Sequence, residues 1–156
     1  MDINLLHTKL AYSERTLICV PCAKFRATEH PIREIRVMFP LEYRHFREHC
    51  EDERRKHESE VLLGRGKFLL SDFGDQKICW MTVQNRHNNY FQIDWIEEVI
   101  EAIARADLHK KYDMAFPGLG YYEEDGIDTK EVLKMVYNAF NDSEKALDFL
   151  HNFQLK

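Results

Sequence analysis

The sequence lacks any apolar run of the roughly 18 to 20 residues that a helix needs to cross a bilayer. Its opening, Met1 to Asn4, also lacks the basic start and the apolar stretch of a signal peptide. Together these absences predict a cytoplasmic protein with no membrane partner. Its four cysteines are then expected to be reduced thiols, because a reducing compartment disfavours structural disulfides.

An excess of positive charge is missing as well. The chain carries 22 basic and 27 acidic residues, which leaves a formal net charge of -5. Because a phosphate backbone attracts surfaces rich in Lys and Arg, this balance disfavours nucleic acid as the partner. The length of 156 residues falls in the range of about 100 to 200 residues that is usual for one domain, so we expect residues 1–156 to form a single domain.

Three apolar runs, residues 16–20, 78–83 and 114–116, have the composition of strands buried on both faces. They alternate with long amphipathic segments, the order in which crossover helices connect mostly parallel strands. The pattern predicts an α/β fold: a mixed, mostly parallel sheet with helices on both faces, in which these three strands lie centrally.

Two of the predicted helices carry a capping-box spacing before an apolar stripe, Asp94 with Glu97 and Asp128 with Glu131. A third, more polar helix is predicted from residue 41 to about residue 60, directly after a proline. These helices are expected to cover the sheet.

The cysteines and histidines do not make a strong metal-binding pattern. Cys19 and Cys22 have the spacing of a zinc or redox pair, but no second pair stands at the right distance. His45 and His49 lie one turn apart on a predicted helix and Cys50 follows, yet the residue after His45 is not the glutamate of a zinc protease. The sequence therefore predicts no metal site, and it indicates no cofactor.

Glycine is scarce and unevenly placed. None occurs before Gly64, whereas Gly118, Gly120 and Gly126 fall within nine residues between a predicted strand and a predicted helix. In such a loop the backbone N–H groups can approach a phosphate, and the following helix adds its positive dipole end. An ordinary tight connection is the alternative, because the acidic stretch 123–125 should oppose a phosphate.

A second polar segment lies at the end of another predicted strand. Gln84 and Asn85 open a run of amide, basic and aromatic side chains that reaches Trp95. Open α/β sheets bind ligands outside the carboxyl ends of their strands, so this run is a candidate binding loop. A polar surface loop without a ligand is an equally good interpretation.

From about Gly66 to Phe140 the chain resembles the second half of a macrodomain. The resemblance rests on the strand 78–84 and the helix after Trp95, on the strand and turn 114–120, and on the helix start 126–128. It is most similar to the macrodomains of antitoxins that reverse DNA ADP-ribosylation and to small phage proteins of the same kind. The resemblance implies a three-layer fold and an ADP-ribose-type nucleotide as the partner.

The first half keeps the spacing of a macrodomain but differs in its chemistry. Lys9 stands where the family has an aspartate that recognises the adenine amino group, and Ala23 stands where it has the asparagine that orients the distal ribose. Residues 24–31 replace the glycine-rich first phosphate loop. Lys24 and Arg26 are expected to supply positive charge there by side chain. Phe149 or Phe153 is either a face for adenine or part of the core.

The sequence thus predicts a diverged macrodomain that binds ADP-ribose or a derivative and hydrolyses ADP-ribose-1″-phosphate or ADP-ribosyl adducts. The alternative is a catalytically inactive interaction protein with this fold, for instance a phage factor that binds a host protein. The candidate bases on a water are Glu123, Glu124 and Asp125. The candidate ligand contacts are Lys24, Arg26, Gln84, Asn85, Gly118, Leu119, Gly120, Tyr121, Tyr122 and Gly126.

Overall fold

A sheet of six strands runs through the part of the chain that the computed structural model describes, residues 2–22, 32–57, 66–83, 91–119 and 126–151. The strands are β1 (Asp2–Leu6), β2 (Leu17–Cys22), β3 (Phe68–Ser71), β4 (Lys77–Thr82), β5 (Met114–Pro117) and β6 (Ala146–Leu150). Their order across the sheet is β1-β6-β5-β2-β4-β3. All neighbours are parallel except β3, which pairs antiparallel with β4.

Helices lie on both faces of this sheet. They are α1 (Ile32–Met38), α2 (Pro40–His57), α3 (Ile93–Arg105), α4 (Leu108–Lys111) and α5 (Thr129–Phe140), with a short 3₁₀ helix at Leu10–Tyr12. One buried cluster joins the sheet to α3, α4 and α5, and a second joins the opposite face to α1, α2 and the 3₁₀ helix. These layers confirm the predicted three-layer α/β architecture.

The alternation of side chains along β2 divides the core between the two faces. Leu17 and Cys19 point into the cluster beneath α3 and α5, whereas Ile18, Val20 and Cys22 point into the other cluster. β2, β4 and β5 each have a paired strand on both sides. The three runs that were predicted to lie centrally therefore do so, because only a strand covered on both faces needs near-continuous apolar sequence.

The helix boundaries correct one prediction and confirm another. α3 begins after Gln92, which makes no side-chain cap, and Asp94 lies inside the first turn, so the capping box assigned to Asp94 is wrong. The start is set by main-chain bonds, because the Gln92 carbonyl accepts from the amides of Trp95 and Ile96. Asp128 is the N-cap of α5, as predicted, and its carboxylate accepts from the Lys130 amide at 2.9 Å.

α1 and α2 lie in a part of the chain where the apolar pattern of the sequence indicated helices less clearly. α2 covers most of the predicted segment, and it begins at Pro40 itself. α1 was not predicted. Ile35 on α1 and Phe46 on α2 are fully buried against the sheet, and Phe46 stacks on Trp80 with ring centroids 4.5 Å apart. No helix within the described ranges is both long and apolar enough to cross a membrane.

Candidate functional site

The ends of four parallel strands meet along one side of the sheet, which we name the carboxyl edge and define by Cys22, Val83, Gly118 and His151. The strands stay paired up to this edge. The Val83 amide donates to the Cys22 carbonyl at 3.2 Å, and the Gly118 amide donates to the Leu150 carbonyl at 2.8 Å. Main-chain bonds therefore fix the residues from which the loops leave the strands, and a rigid scaffold of this kind is common beneath binding loops.

The loop 84–90 starts at this edge. The Gln92 amide donates to the Val83 carbonyl at 2.9 Å, so the end of β4 and the start of α3 are bonded to each other at this edge. Gln84 and Asn85, the predicted ligand contacts, follow Val83 directly in sequence but lie outside the described residues. Their role stays a prediction.

The turn after β5 is packed tightly beneath α5. A Cβ atom at Gly118 would lie 2.9 Å from Thr129 Cγ2 and 3.3 Å from the Leu150 carbonyl oxygen, so any side chain there requires a shift. Leu119 adopts a left-handed backbone with φ of 60° and is fully buried in the α5-side core. The Gly118 amide already has a partner, the Leu150 carbonyl, and is therefore not free to bind a phosphate.

The start of α5 offers less to an anion than its dipole suggests. The Asp128 carboxylate takes the Lys130 amide, and the Asp128 carbonyl takes the amides of Glu131 and Val132. A negative side chain and three satisfied donors therefore occupy the first turn. Gly126 just before it has φ of 70° with open space around its Cβ position, as a residue at a loop surface would.

Most of the predicted contacts fall outside the described residues. These are the ligand contacts Lys24, Arg26, Gln84, Asn85, Gly120, Tyr121 and Tyr122 and the candidate bases Glu123, Glu124 and Asp125. Ala23, which stands in place of the family's asparagine, also lies outside them. Of the predicted ligand contacts, Gly118, Leu119 and Gly126 are described, and all three lie on the connection between β5 and α5. Their contact with a ligand stays a prediction.

Lys9, which stands at the position of the family's adenine-recognising aspartate, is engaged with a carboxylate. Its ammonium lies 3.0 Å from Glu34 Oε1 on α1 and 5.8 Å from the centre of the Tyr12 ring. The hydrogen bond to Glu34 raises the pKa of Lys9, so its ammonium stays charged at neutral pH. The ion pair therefore holds the Glu34 carboxylate beside Lys9, next to the 3₁₀ helix. Sequence reasoning missed Glu34 because α1 was not predicted.

Two histidines that sequence reasoning did not single out meet at the ends of β1 and β6. The rings of His7 and His151 lie 5.7 Å apart in an edge-to-face arrangement, and the His151 amide donates to the Leu6 carbonyl. Burial, followed by the neighbouring His7, lowers the pKa of His151 below its ordinary value. The neutral imidazole can accept a proton or a hydrogen bond at the carboxyl edge. No sequence spacing reveals a pair of residues that are brought together only by strand pairing.

Phe149 and Phe153 were the two aromatic residues considered as a stacking surface for adenine. Phe149 is fully buried in the cluster beneath α5, because alternate residues of β6 point into that face. It is therefore a core residue and not a ligand face. Phe153 lies outside the described residues.

The thiols and histidines are used in packing. Cys19 and Cys22 point to opposite faces of β2, so they cannot share a metal ion, and burial raises the pKa of Cys22 well above its ordinary value. His45 Nδ1 lies 2.7 Å from the buried Ser71 hydroxyl, and Cys50 is fully buried. Among the residues that the structure describes, no group of three or more His, Cys, Asp or Glu side chains is placed to hold a metal ion.

Comparison with known proteins identifies the architecture. No protein-family model and no curated protein matches the sequence. Among solved structures, the macrodomain of Thermus aquaticus DarG superposes with a TM-score of 0.78 at 14% identity, over 96% of this chain and 97% of that one. The macrodomain of Mycobacterium tuberculosis DarG gives 0.72 at 16% identity, over 95% and 97%.

A third structure, described as Thermosipho africanus DarTG in complex with ADP-ribose, gives a TM-score of 0.79 at 14% identity. It covers 99% of this chain and 43% of the longer DarTG chain. The chain therefore has the macrodomain fold, as the sequence resemblance implied. At these identities the similarity concerns the fold, and the chemistry of the site has to be argued from the residues of this chain.

Proposed function

We propose that this chain binds ADP-ribose or a close derivative at the carboxyl edge. The observation that carries the proposal is the match in architecture, over 99% of this chain, to a protein solved in complex with ADP-ribose. Strand order and crossover connections bring the loops after β2, β4 and β5 to one side of the sheet. That is where open α/β sheets bind nucleotides.

The source of positive charge is the main chemical question for a diphosphate ligand. The amides of Lys130, Glu131 and Val132 at the start of α5 are satisfied by Asp128. Asp94 puts a carboxylate in the first turn of α3. Two helix starts that would otherwise favour an anion are thus partly neutralised. We infer that Lys24 and Arg26 neutralise the diphosphate, with main-chain amides of residues 119–126 as the second contact.

Adenine recognition would differ from that of a macrodomain with the usual aspartate. Lys9 donates hydrogen bonds and cannot accept one from an amino group. Glu34, held 3.0 Å from Lys9, supplies an acceptor on the same side of the fold. We infer that Glu34 replaces the missing aspartate, with lower affinity because its carboxylate is shared. A lost or weakened bond to a charged acceptor costs roughly 1.5 to 3 kcal/mol, so the Kd should be about micromolar or weaker.

We further infer that the chain hydrolyses the nucleotide that it binds. The acidic stretch 123–125 would supply the base that activates a water for removal of a phosphate or an ADP-ribosyl group, and neutral His151 is a further candidate base. The departures at Lys9 and Ala23 favour instead a chain that kept the fold and binds a protein. The two alternatives differ in a binding measurement, before any assay of turnover.

The experiment is calorimetry with ADP-ribose, with AMP and ribose-5-phosphate as controls. We expect micromolar or weaker binding of ADP-ribose that exceeds the binding of either fragment. Gly120→Val should abolish it by placing a branched side chain where the ligand approaches the backbone, whereas Glu124→Gln should strengthen it by removing a repelling charge. Melting temperatures of both variants separate loss of binding from loss of folding.

Glu34→Gln tests the adenine inference within the same titration. It should weaken ADP-ribose binding about tenfold while leaving ribose-5-phosphate unaffected, because the fragment has no base. Absence of any ADP-ribose binding by the folded parent chain would refute the proposed function and favour the interaction protein. Unchanged ADP-ribose binding by folded Gly120→Val would move the site away from the turn after β5.

A further inference from the structure

β1 is an edge strand of the sheet whose outer side carries unpaired main-chain groups within the described chain. β1 pairs with β6 on its inner side, where the Leu6 carbonyl accepts from the His151 amide at 3.0 Å. Since main-chain groups alternate in direction along a strand, those of Ile3 and Leu5 point away from the sheet. Within the described chain, no strand pairs with this outer side. Two residues therefore present donors and acceptors that are free to pair with another strand.

Apolar side chains lie directly beside these main-chain groups. On the α5 side of the sheet, Ile3 and Leu5 form a groove of about 430 Å³ with Leu133 and Tyr137. Leu5 is 56% exposed and Tyr137 is 55% exposed. An open strand edge next to exposed apolar surface is the arrangement in which strands pair between molecules.

The opposite edge of the sheet is protected where β1 is not. β3 has half-buried or buried side chains along its whole length and packs against α2 and α3. Lys67 precedes it and Asp72 follows it, and charges at an edge oppose pairing with another chain. β1 has neither a lysine nor a proline, and four of its five residues are exposed.

We propose that β1 is the interface between two copies of this chain, related by a two-fold axis and paired antiparallel. In this register Ile3 of each copy lies opposite Leu5 of the other, and Asn4 lies opposite Asn4. Each Ile3–Leu5 pair exchanges both of its hydrogen bonds, so every outward main-chain group of these residues is satisfied. The two six-stranded sheets become one, and the apolar grooves beside the two α5 helices adjoin across the axis.

Charge favours the antiparallel direction. Asp2 stands at the start of β1, whereas Lys130 and Lys134 of α5 line the groove. Antiparallel pairing places Asp2 of each copy opposite Leu6 of the other, at the end of β1 that lies near the start of α5 and therefore near Lys130. Parallel pairing would place Asp2 beside Asp2, and it lacks the two-fold symmetry that closes an assembly. Because pairing uses the open edge of both copies, the assembly stops at a dimer.

Sedimentation equilibrium over a concentration series tests the interface. We expect a monomer–dimer equilibrium in the parent chain, and Leu5→Lys should weaken it about tenfold or more by placing a charge in the groove. Val37→Lys is the matched control, because Val37 is 74% exposed on α1, on the other face of the sheet. Circular dichroism confirms that both variants fold. A parent chain that stays monomeric at the highest concentration it tolerates would overturn the proposal, as would a dimer that Leu5→Lys leaves intact.

Cysteine cross-linking tests the register. Opposite residues of a non-hydrogen-bonded antiparallel pair have Cα atoms about 4.5 Å apart, within the range of a disulfide. Asn4→Cys should therefore give a covalent dimer when oxidised glutathione takes two electrons and two protons from the paired thiols. Leu6→Cys is the control, because its two copies would lie roughly 13 Å apart along the strands. The four native cysteines are buried. Equal cross-linking of both variants, or of neither, would contradict this register.

Discussion

The two ends of the parallel strands are built differently. We name the side of the sheet where β2, β4, β5 and β6 begin the amino edge. There, polar side chains form hydrogen bonds to main-chain groups of neighbouring loops. The Gln76 side-chain amide donates to the carbonyls of Ser13 and Arg15, and Asp113 accepts from the Ala146 amide. At the carboxyl edge, main-chain bonds join the strand ends to one another, and a glycine occupies the tightest position.

This difference separates stability from ligand chemistry within one sheet. Side chains that satisfy loop carbonyls at the amino edge are committed to holding the fold. At the carboxyl edge the main chain itself holds the strand ends. Substitutions at the amino edge should therefore act on stability, and substitutions at the carboxyl edge should act through backbone geometry or protonation.

The largest effect is expected from Asp148→Ala. The Asp148 carboxylate accepts from Arg15 Nε at 2.8 Å, from Arg15 Nη2 at 3.0 Å and from Asn4 Nδ2 at 3.1 Å. Its loss leaves a partly buried guanidinium without its main partner, which should lower the free energy of unfolding by about 3 kcal/mol. Urea denaturation measures the change.

Asp113→Asn is the control for Asp148→Ala. Asp113 is also near Arg15, but at 3.8 Å and with a more exposed side chain, and the asparagine oxygen can still accept from Ala146. We expect a change below about 1 kcal/mol. If both substitutions cost the same, the Arg15–Asp148 pair does not have the importance that its geometry indicates.

Gly118→Ala should be next in size. The added Cβ would press on Thr129 and on the Leu150 carbonyl, which forces a shift costing about 1 to 3 kcal/mol. Gly74→Ala is the matched control, since the structure places nothing within 4 Å of its Cβ position. The control should be neutral or slightly stabilising. Equal melting temperatures for the two variants would show that the turn after β5 has room for a Cβ atom at Gly118.

Ser71→Ala should have a smaller but measurable effect on the α2 side of the sheet. The Ser71 hydroxyl accepts from Trp80 Nε1 at 2.9 Å and lies 2.7 Å from His45 Nδ1. Removing it leaves a buried indole N–H without its acceptor, at a cost of about 1 kcal/mol, the lower end of what a lost buried hydrogen bond costs. Ser71→Thr keeps the hydroxyl and separates its loss from a change in packing. Wild-type stability in Ser71→Ala would mean that another acceptor reaches Trp80.

The smallest effect concerns protonation at the carboxyl edge. The pKa of His151 in the folded chain lies below its ordinary value of 6.5. Between these two pKa values the unfolded chain binds more protons than the folded chain. The contribution of neutral His151 to stability is therefore lost as the pH falls below about 6.5. His7→Asn removes a repelling charge and should raise the pKa of His151. NMR titration of the imidazole protons measures it. A His151 pKa that does not move would leave burial as its only cause.

The second half of the chain was more readable from sequence than the first, for a physical reason. Strands such as β4 and β5 are buried on both faces and carry continuous apolar sequence, and Asp128 marks its helix by the bond it makes to Lys130. α1 has no such marker, and Asp94 lies two residues beyond the true cap because main-chain pairing of Gln92 sets the start of α3.

The order of apolar and amphipathic segments was enough to determine the α/β layers and the central position of β2, β4 and β5, because the periodicity of a segment reports how many of its faces are covered. Which residues meet was decided by the tertiary structure. His7 and His151 adjoin because β1 pairs with β6, Lys9 meets Glu34 because α1 packs beside the 3₁₀ helix, and Phe149 enters the core by the direction of its strand. Contacts between residues far apart in sequence depend on strand order and register, which local sequence patterns do not encode.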